Sequence, residues 1–203
     1  QLGGMVAGNP WLAKGEARII LNEVNSRNPS QLNGFVEVAG KKAQVVIANP
    51  AGISCDGCGF INANRATLTT GQPQMKNGSL TGFSVERGEI QVTGKGMDAS
   101  RTDYTDIIAR SVKINAGLWA QDLKVTTGRN NVDIAHGHIE KKTGDVSSQP
   151  QMALDVASLG GMYAGKIRLV GTETGVGVRN AGHIGAQAGA VTLTADGRIE
   201  NSG

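Results

Sequence analysis

The chain has 203 residues, enough for one buried core, but 30 of them are glycine and only 3% are aromatic. Glycine well above its usual share of about 7% interrupts every helical pattern, since each costs about 1 kcal/mol against alanine inside a helix. The net charge of +3 comes from 20 basic and 17 acidic residues spread along the chain, with basic doublets only at Lys41-Lys42 and Lys141-Lys142. No concentrated patch for nucleic acid or a lipid surface is written in the sequence, and the charges read as a solvated surface.

No apolar run is long enough to span a membrane. The opening Gln1-Leu2-Gly3-Gly4 reads as the edge of a trimmed piece of a longer, targeted chain. In chain order, bursts of period-two alternation occupy residues 35–38, 89–93, 111–114, 123–126, 166–169 and 191–194. Each is the pattern of a strand with one buried and one wet face. Each is closed by Gly, Asn or Asp, which tolerate left-handed turns. Residues 102–110 and 149–158 lack this pattern and are expected to be loops or excursions.

Asn180-Ala181-Gly182 recurs as Asn201-Ser202-Gly203, a shift of 201 − 180 = 21 residues, and Asn115-Ala116-Gly117 lies 180 − 115 = 65 residues upstream. Turns recurring at about twenty-one residues point to a solenoid of about ten coils whose asparagines bond along the stack. A β-sandwich is the competing architecture, but it calls for more aromatic residues and clearer Asn-Gly hairpins.

The sharpest local feature follows the apolar strand 45–48: Asn49-Pro50-Ala51-Gly52-Ile53, then Cys55 and Cys58 as C-x-x-C. The residue before proline is driven out of the helical region, so Asn49-Pro50 marks a strand-to-turn transition. A redox role for the cysteines needs a helix N-terminus beside the first thiol, and zinc needs two more ligands. His136, His138 and His183 are distant in sequence. In an exported chain the pair closes into a local disulfide, the reading preferred here. His136-Gly137-His138 reads as an exposed turn. Asp98, Asp103 and Asp106, which a polysaccharide-cleaving solenoid would use as acid and base, read as a solvated loop. No metal site, cofactor or catalytic constellation is expected.

Residues 37–53 and 55–71, with 20–40, 103–128 and 161–186, strongly resemble the secretion domain of two-partner-secretion exoproteins. That family includes filamentous haemagglutinin adhesins and contact-dependent growth inhibition toxins. The resemblance implies an all-β, right-handed parallel β-helix with short extrahelical strands or loops. Residues 1–135 would form the secretion domain, lacking its first coils, and 136–203 further coils leading into a filamentous repeat region. Its two Asn-Pro-Asn motifs correspond to Asn9-Pro10-Trp11-Leu12 and Asn49-Pro50-Ala51-Gly52-Ile53, with the second Asn replaced by Trp11 and Ala51. Asn9, Pro10, Asn49, Pro50, Gly52 and Ile53 are therefore candidate transporter-recognition residues, with a purely structural turn as the equal alternative. The implied partner is an outer-membrane transporter with soluble periplasmic domains. A target-cell receptor would be engaged by downstream regions, and no nucleic acid is involved. The implied location is the bacterial surface, reached through the periplasm. The function implied is secretion and scaffolding; a direct adhesin and a polysaccharide-active enzyme are the alternatives.

Overall fold

Strands that alternate apolar and polar side chains, cut every few residues by glycine or asparagine, have a simple way to bury one face: they coil. The computed structural model describes residues 18–144, 148–157, 160–186, 191–195 and 197–202, and among these there is no helix. The strands stack in parallel on three faces of a β-helix.

Face A stacks β1 (Ile19–Glu23), β4 (Ala43–Ala48), β6 (Ala63–Thr69), the ends of β9 (Glu89–Ala109) and β11 (Gly117–Thr127), then β16 (Lys166–Gly171) and β19 (Val191–Thr194). Face B stacks β2 (Ser30–Leu32), the starts of β5 (Ile53–Ile61) and β9, then β10 (Ser111–Ile114), β14 (Met152–Val156), β17 (Gly177–Asn180) and β20 (Ile199–Asn201). Face C stacks β3 (Phe35–Glu37), the end of β5, the middle of β9, the start of β11, β15 (Gly161–Ala164) and β18 (His183–Ala186). All six strands expected from alternation lie on these faces.

Inward side chains form columns. On face A one column runs Ile47, Leu68, Ile107, Val125, Leu169, and all five belong to the main core. Side chains of this size fill the narrow interior, and like stacks on like because parallel register repeats at every coil.

The coil count differs from expectation. Register partners Gln44 and Arg65 are 65 − 44 = 21 residues apart, but Arg65 and Tyr104 are 104 − 65 = 39 apart and Asp122 and Lys166 are 166 − 122 = 44 apart. The two long coils carry insertions, so the described residues form seven levels rather than about ten. At ~4.8 Å per level the rod is roughly 30 Å long.

The insertions leave at the corner between faces A and B and build a four-stranded antiparallel sheet, β13 (Ile139–Lys141), β12 (Asn130–Asp133), β8 (Ser79–Ser84) and β7 (Gln72–Lys76). This sheet lies over face A and closes a second core of Val46, Leu80, Phe83, Val85, Ile108 and Val132. β12 and β13 stand on either side of residue 135, so this sheet spans that position.

Two segments expected to be loops are strands. Residues 102–109 complete β9, and 152–156 form β14. Their alternation is hidden for identifiable reasons. Thr105 occupies an inward position, while the outward Ile108 is buried beneath the second sheet. In β14 the register shifts between Met152 and Leu154.

Candidate functional site

The Asn49 segment forms the corner between faces A and B at the second level. Gly52 N donates to Asn49 O at 3.0 Å, a four-residue turn with Pro50 at its second position, where its fixed φ is favourable. Asn49 Oδ1 accepts from Ala51 N at 3.0 Å, while its Nδ2 donates to Asn28 O at 3.0 Å and Ser30 Oγ at 2.9 Å in the coil below. Asn49 is wholly buried, and Gly52 and Ile53 are buried beside it; only Pro50 and Ala51 reach the surface in part. Gly52 has φ of 124°, and a Cβ there would fall 2.7 Å from Glu89 O. Asn9 and Pro10 lie outside the described residues.

Sequence reasoning missed Asn28-Pro29, which sits 49 − 28 = 21 residues before Asn49-Pro50. The one-coil spacing could have found it. The same bonding device recurs at other corners. Asn62, at φ 60°, donates to Val38 O at 2.9 Å and Gly40 O at 2.7 Å, and Asn180 donates to Asn201 Oδ1 at 2.9 Å. The asparagine stacking expected for Asn180 and Asn201 is therefore present. Asn115 does not join it, because Ile114, not Asn115, stands in that register.

Cys55 and Cys58 are joined across the corner between faces B and C, with Cα atoms 5.4 Å apart. Both sulfurs point inward (Cys55 and Cys58 are 0% and 2% exposed), and Cys55 Sγ lies 3.3 Å from Gly96 O.

Face A carries a buried polar cluster that contradicts the expectation of solvated charges. Asp106, 1% exposed, accepts from Arg65 Nε at 2.8 Å, Arg65 NH2 at 3.1 Å, Thr67 Oγ1 at 2.8 Å and His136 Nδ1 at 2.9 Å. Burial pushes its carboxyl up, but the bonds from His136 and Arg65 outweigh this and hold it below the usual range. His136 is not an exposed turn residue; it is 1% exposed at φ 55°. Burial lowers its basicity more than Asp106 restores it. Lys124 Nζ donates to His136 O at 2.6 Å. A second buried pair, Arg110 with Glu173, joins the A/B corner across levels. His138 stays exposed, as expected.

The three aspartates do not converge. Asp98 faces outward on face C, Asp103 is exposed at the next corner, and Asp106 is locked under the second sheet on face A. Among the described residues no three His, Cys, Asp or Glu side chains cluster as a metal site. What the arrangement offers is a stack of reinforced corners and open sheet faces.

A family model described as "TPS secretion domain" matches residues 11–201. The chain is 68% identical over 203 residues to "Toxin CdiA" of Yersinia pestis, covering 100% of this chain and 6% of that protein. It is 50% identical over 205 residues to "tRNA nuclease CdiA-2" of Burkholderia pseudomallei strain 1026b, with the same coverage, 100% and 6%. A solved structure titled "Crystal structure of filamentous hemagglutinin secretion domain" superposes with TM-score 0.75 at 29% identity, covering 91% of this chain and 73% of that one. The chain thus spans a small part, 6%, of the curated relatives it matches. With a parallel β-helix, an extrahelical sheet and a family match along nearly its whole length, the chain belongs to the TPS secretion-domain family, the export modules of exoproteins carried across the outer membrane to the cell surface.

Proposed function

We propose that this chain is a non-catalytic recognition and scaffold module. Its segment 49–53, together with Asn9 and Pro10, is read by the periplasmic domains of an outer-membrane transporter while the chain is still extended. The same residues then close a corner of the β-helix on the cell surface. One observation carries this reading: Asn49 is wholly buried, its side chain spent on the coil beneath. A partner that reads this side chain must therefore meet it before the corner closes. An extended Asn-Pro segment next to the strand 43–48 suits addition to a partner's sheet edge. Relatives named for toxin and tRNA nuclease activity support placing a toxic activity, and contact with a target-cell receptor, in far downstream regions. Residues 136–203 would lead toward them.

The test separates recognition from folding by using an unfolded ligand. A synthetic peptide of residues 43–61 is titrated into the transporter's isolated periplasmic domains beside its Asn49→Ala counterpart. Binding at least tenfold weaker for the altered peptide is expected. Equal binding of the two peptides, or binding only of the folded domain, would falsify the reading.

A further inference from the structure

Outward positions on face C form one column: Phe35, Gly59, Asp98, Trp119, Tyr163, Gly185. Trp119 and Tyr163 are 45% and 38% exposed in a chain with very few aromatic residues. Their ring centroids are 6.2 Å apart and their planes lie within 19°. Each ring lies down on the glycine two residues before it. A Cβ at Gly117 would fall 2.4 Å from Trp119 Cη2 and 2.6 Å from Cζ2, and one at Gly161 would fall 2.6 Å from Tyr163 Oη and 2.8 Å from Cζ. Each ring therefore packs over its glycine and stays partly exposed, and the two are near-parallel neighbours that form an aromatic strip along the rod axis.

A groove of about 610 Å³ runs beside the strip, walled by Ser100, Gln121, Gly165 and Ala186. Asp98 stands next to Trp119 in register. Ser100 donates to its Oδ1 through backbone N and Oγ, and Gln121 Nε2 donates to Ser100 O at 2.8 Å. The Ser100 bonds hold the Asp98 carboxyl below its usual range, so it is a charged hydrogen-bond acceptor at neutral pH.

We propose that this strip and groove bind a neutral oligosaccharide. The C–H faces of successive sugar rings stack on Trp119 and Tyr163, while their hydroxyls bond Asp98, Ser100 and Gln121. The ligand class follows from size and charge. A protein partner needs about 800 Å² on each side, whereas two rings bounded by glycine and alanine, with a groove of this volume, match the roughly 300–1,000 Å³ of a small-ligand site. Nucleobases also stack on aromatic rings, but among the described residues no Lys or Arg lines the groove to meet phosphate. A carboxylate suits hydroxyl donors and repels anionic glycans.

Cellotetraose, maltotetraose and chitotetraose are titrated separately into the chain, with a heparin tetrasaccharide as the anionic comparison. At least one neutral probe is expected to bind saturably and to shift the ring resonances of Trp119 and Tyr163 in the unaltered protein. Binding should fall tenfold or more in Trp119→Ala and in Tyr163→Ala, persist largely in Trp119→Phe, and weaken in Asp98→Asn. The resonance shifts need no variant and so stand even if an alanine protein folds poorly. The proposal is overturned if no neutral probe binds, if heparin is preferred, or if binding leaves those rings unshifted. It is equally overturned if the Trp119 and Tyr163 replacements abolish capture of the transporter's periplasmic domains and no sugar binds, since the strip is then a protein contact.

Discussion

His136 Nδ1 donates to Asp106 Oδ1 at 2.9 Å, tying the tip of the extrahelical sheet to face A across 30 residues of chain. With Asp106 ionised, this nitrogen carries the proton, and the other faces Thr126 Oγ1. Arg65 reaches the same tip by donating to Ala135 O at 2.8 Å. The second sheet is thus fastened to the rod by an apolar layer and by one buried charged cluster at its end.

The cluster makes stability depend on pH in a definite direction. Burial depresses the His136 pKa, with Lys124 and Arg65 adding to the effect. The unfolded chain therefore takes up the proton first, and stability falls as pH drops below about 6.5. The depressed Asp106 pKa contributes stability above about 3.9, lost as pH falls through the folded value. The melting temperature should decline between about pH 7 and about pH 5, whereas His136→Gln should melt lower throughout with a flatter profile over that interval. Parallel profiles for the two proteins would refute the assignment.

Removing the carboxylate unpairs a partly buried guanidinium and a buried imidazole. Asp106→Ala leaves Arg65 with only its bond to Ala135 O and His136 Nδ1 without its acceptor, and should cost about 3–5 kcal/mol. Asp103→Ala, at an exposed position three residues away, should stay within about 0.5 kcal/mol. Urea denaturation of both variants decides this; equal midpoints would mean the cluster adds nothing.

The cysteines offer a redox test. Thiol labelling of denatured, non-reduced protein should find no free cysteine. Because the bridge closes a loop with a sequence separation of 3, its entropic effect belongs at the low end of about 0–5 kcal/mol. Cys55→Ala with Cys58→Ala should therefore lower stability modestly. The double serine variant should lose more, since two hydroxyls in an apolar core cost about 1–3 kcal/mol each when unbonded. Serine matching alanine would show that the sulfurs are not core groups.

Gly52 is required by its corner rather than by its sequence neighbours. Its φ of 124° and the 2.7 Å approach of a Cβ to Glu89 O predict that Gly52→Ala destabilises by about 1–3 kcal/mol. Ala51→Gly, at a partly exposed position of the same turn, should do far less. Comparable losses in thermal melts would argue that the corner relaxes freely.

By itself the sequence determined that this chain coils. Glycine spacing, short alternating bursts and the 21-residue return of Asn180 at Asn201 are local signals. A parallel stack repeats them at every level, so strand identity and the asparagine bonds of the corners were legible. The tertiary structure alone decided which coils are enlarged and what covers face A. Residues 102–109 carry no readable alternation because from Thr105 to Ala109 both faces are buried, Ile107 inside the rod and Ile108 beneath a sheet built from residues up to 141. Asp106 and His136 look like solvent-exposed turn residues until that sheet removes water from them. Burial of a charge is a property of everything packed around it, and the partners that make it affordable here come from two segments distant in sequence, Arg65 and Thr67 on one strand and His136 at the tip of the second sheet.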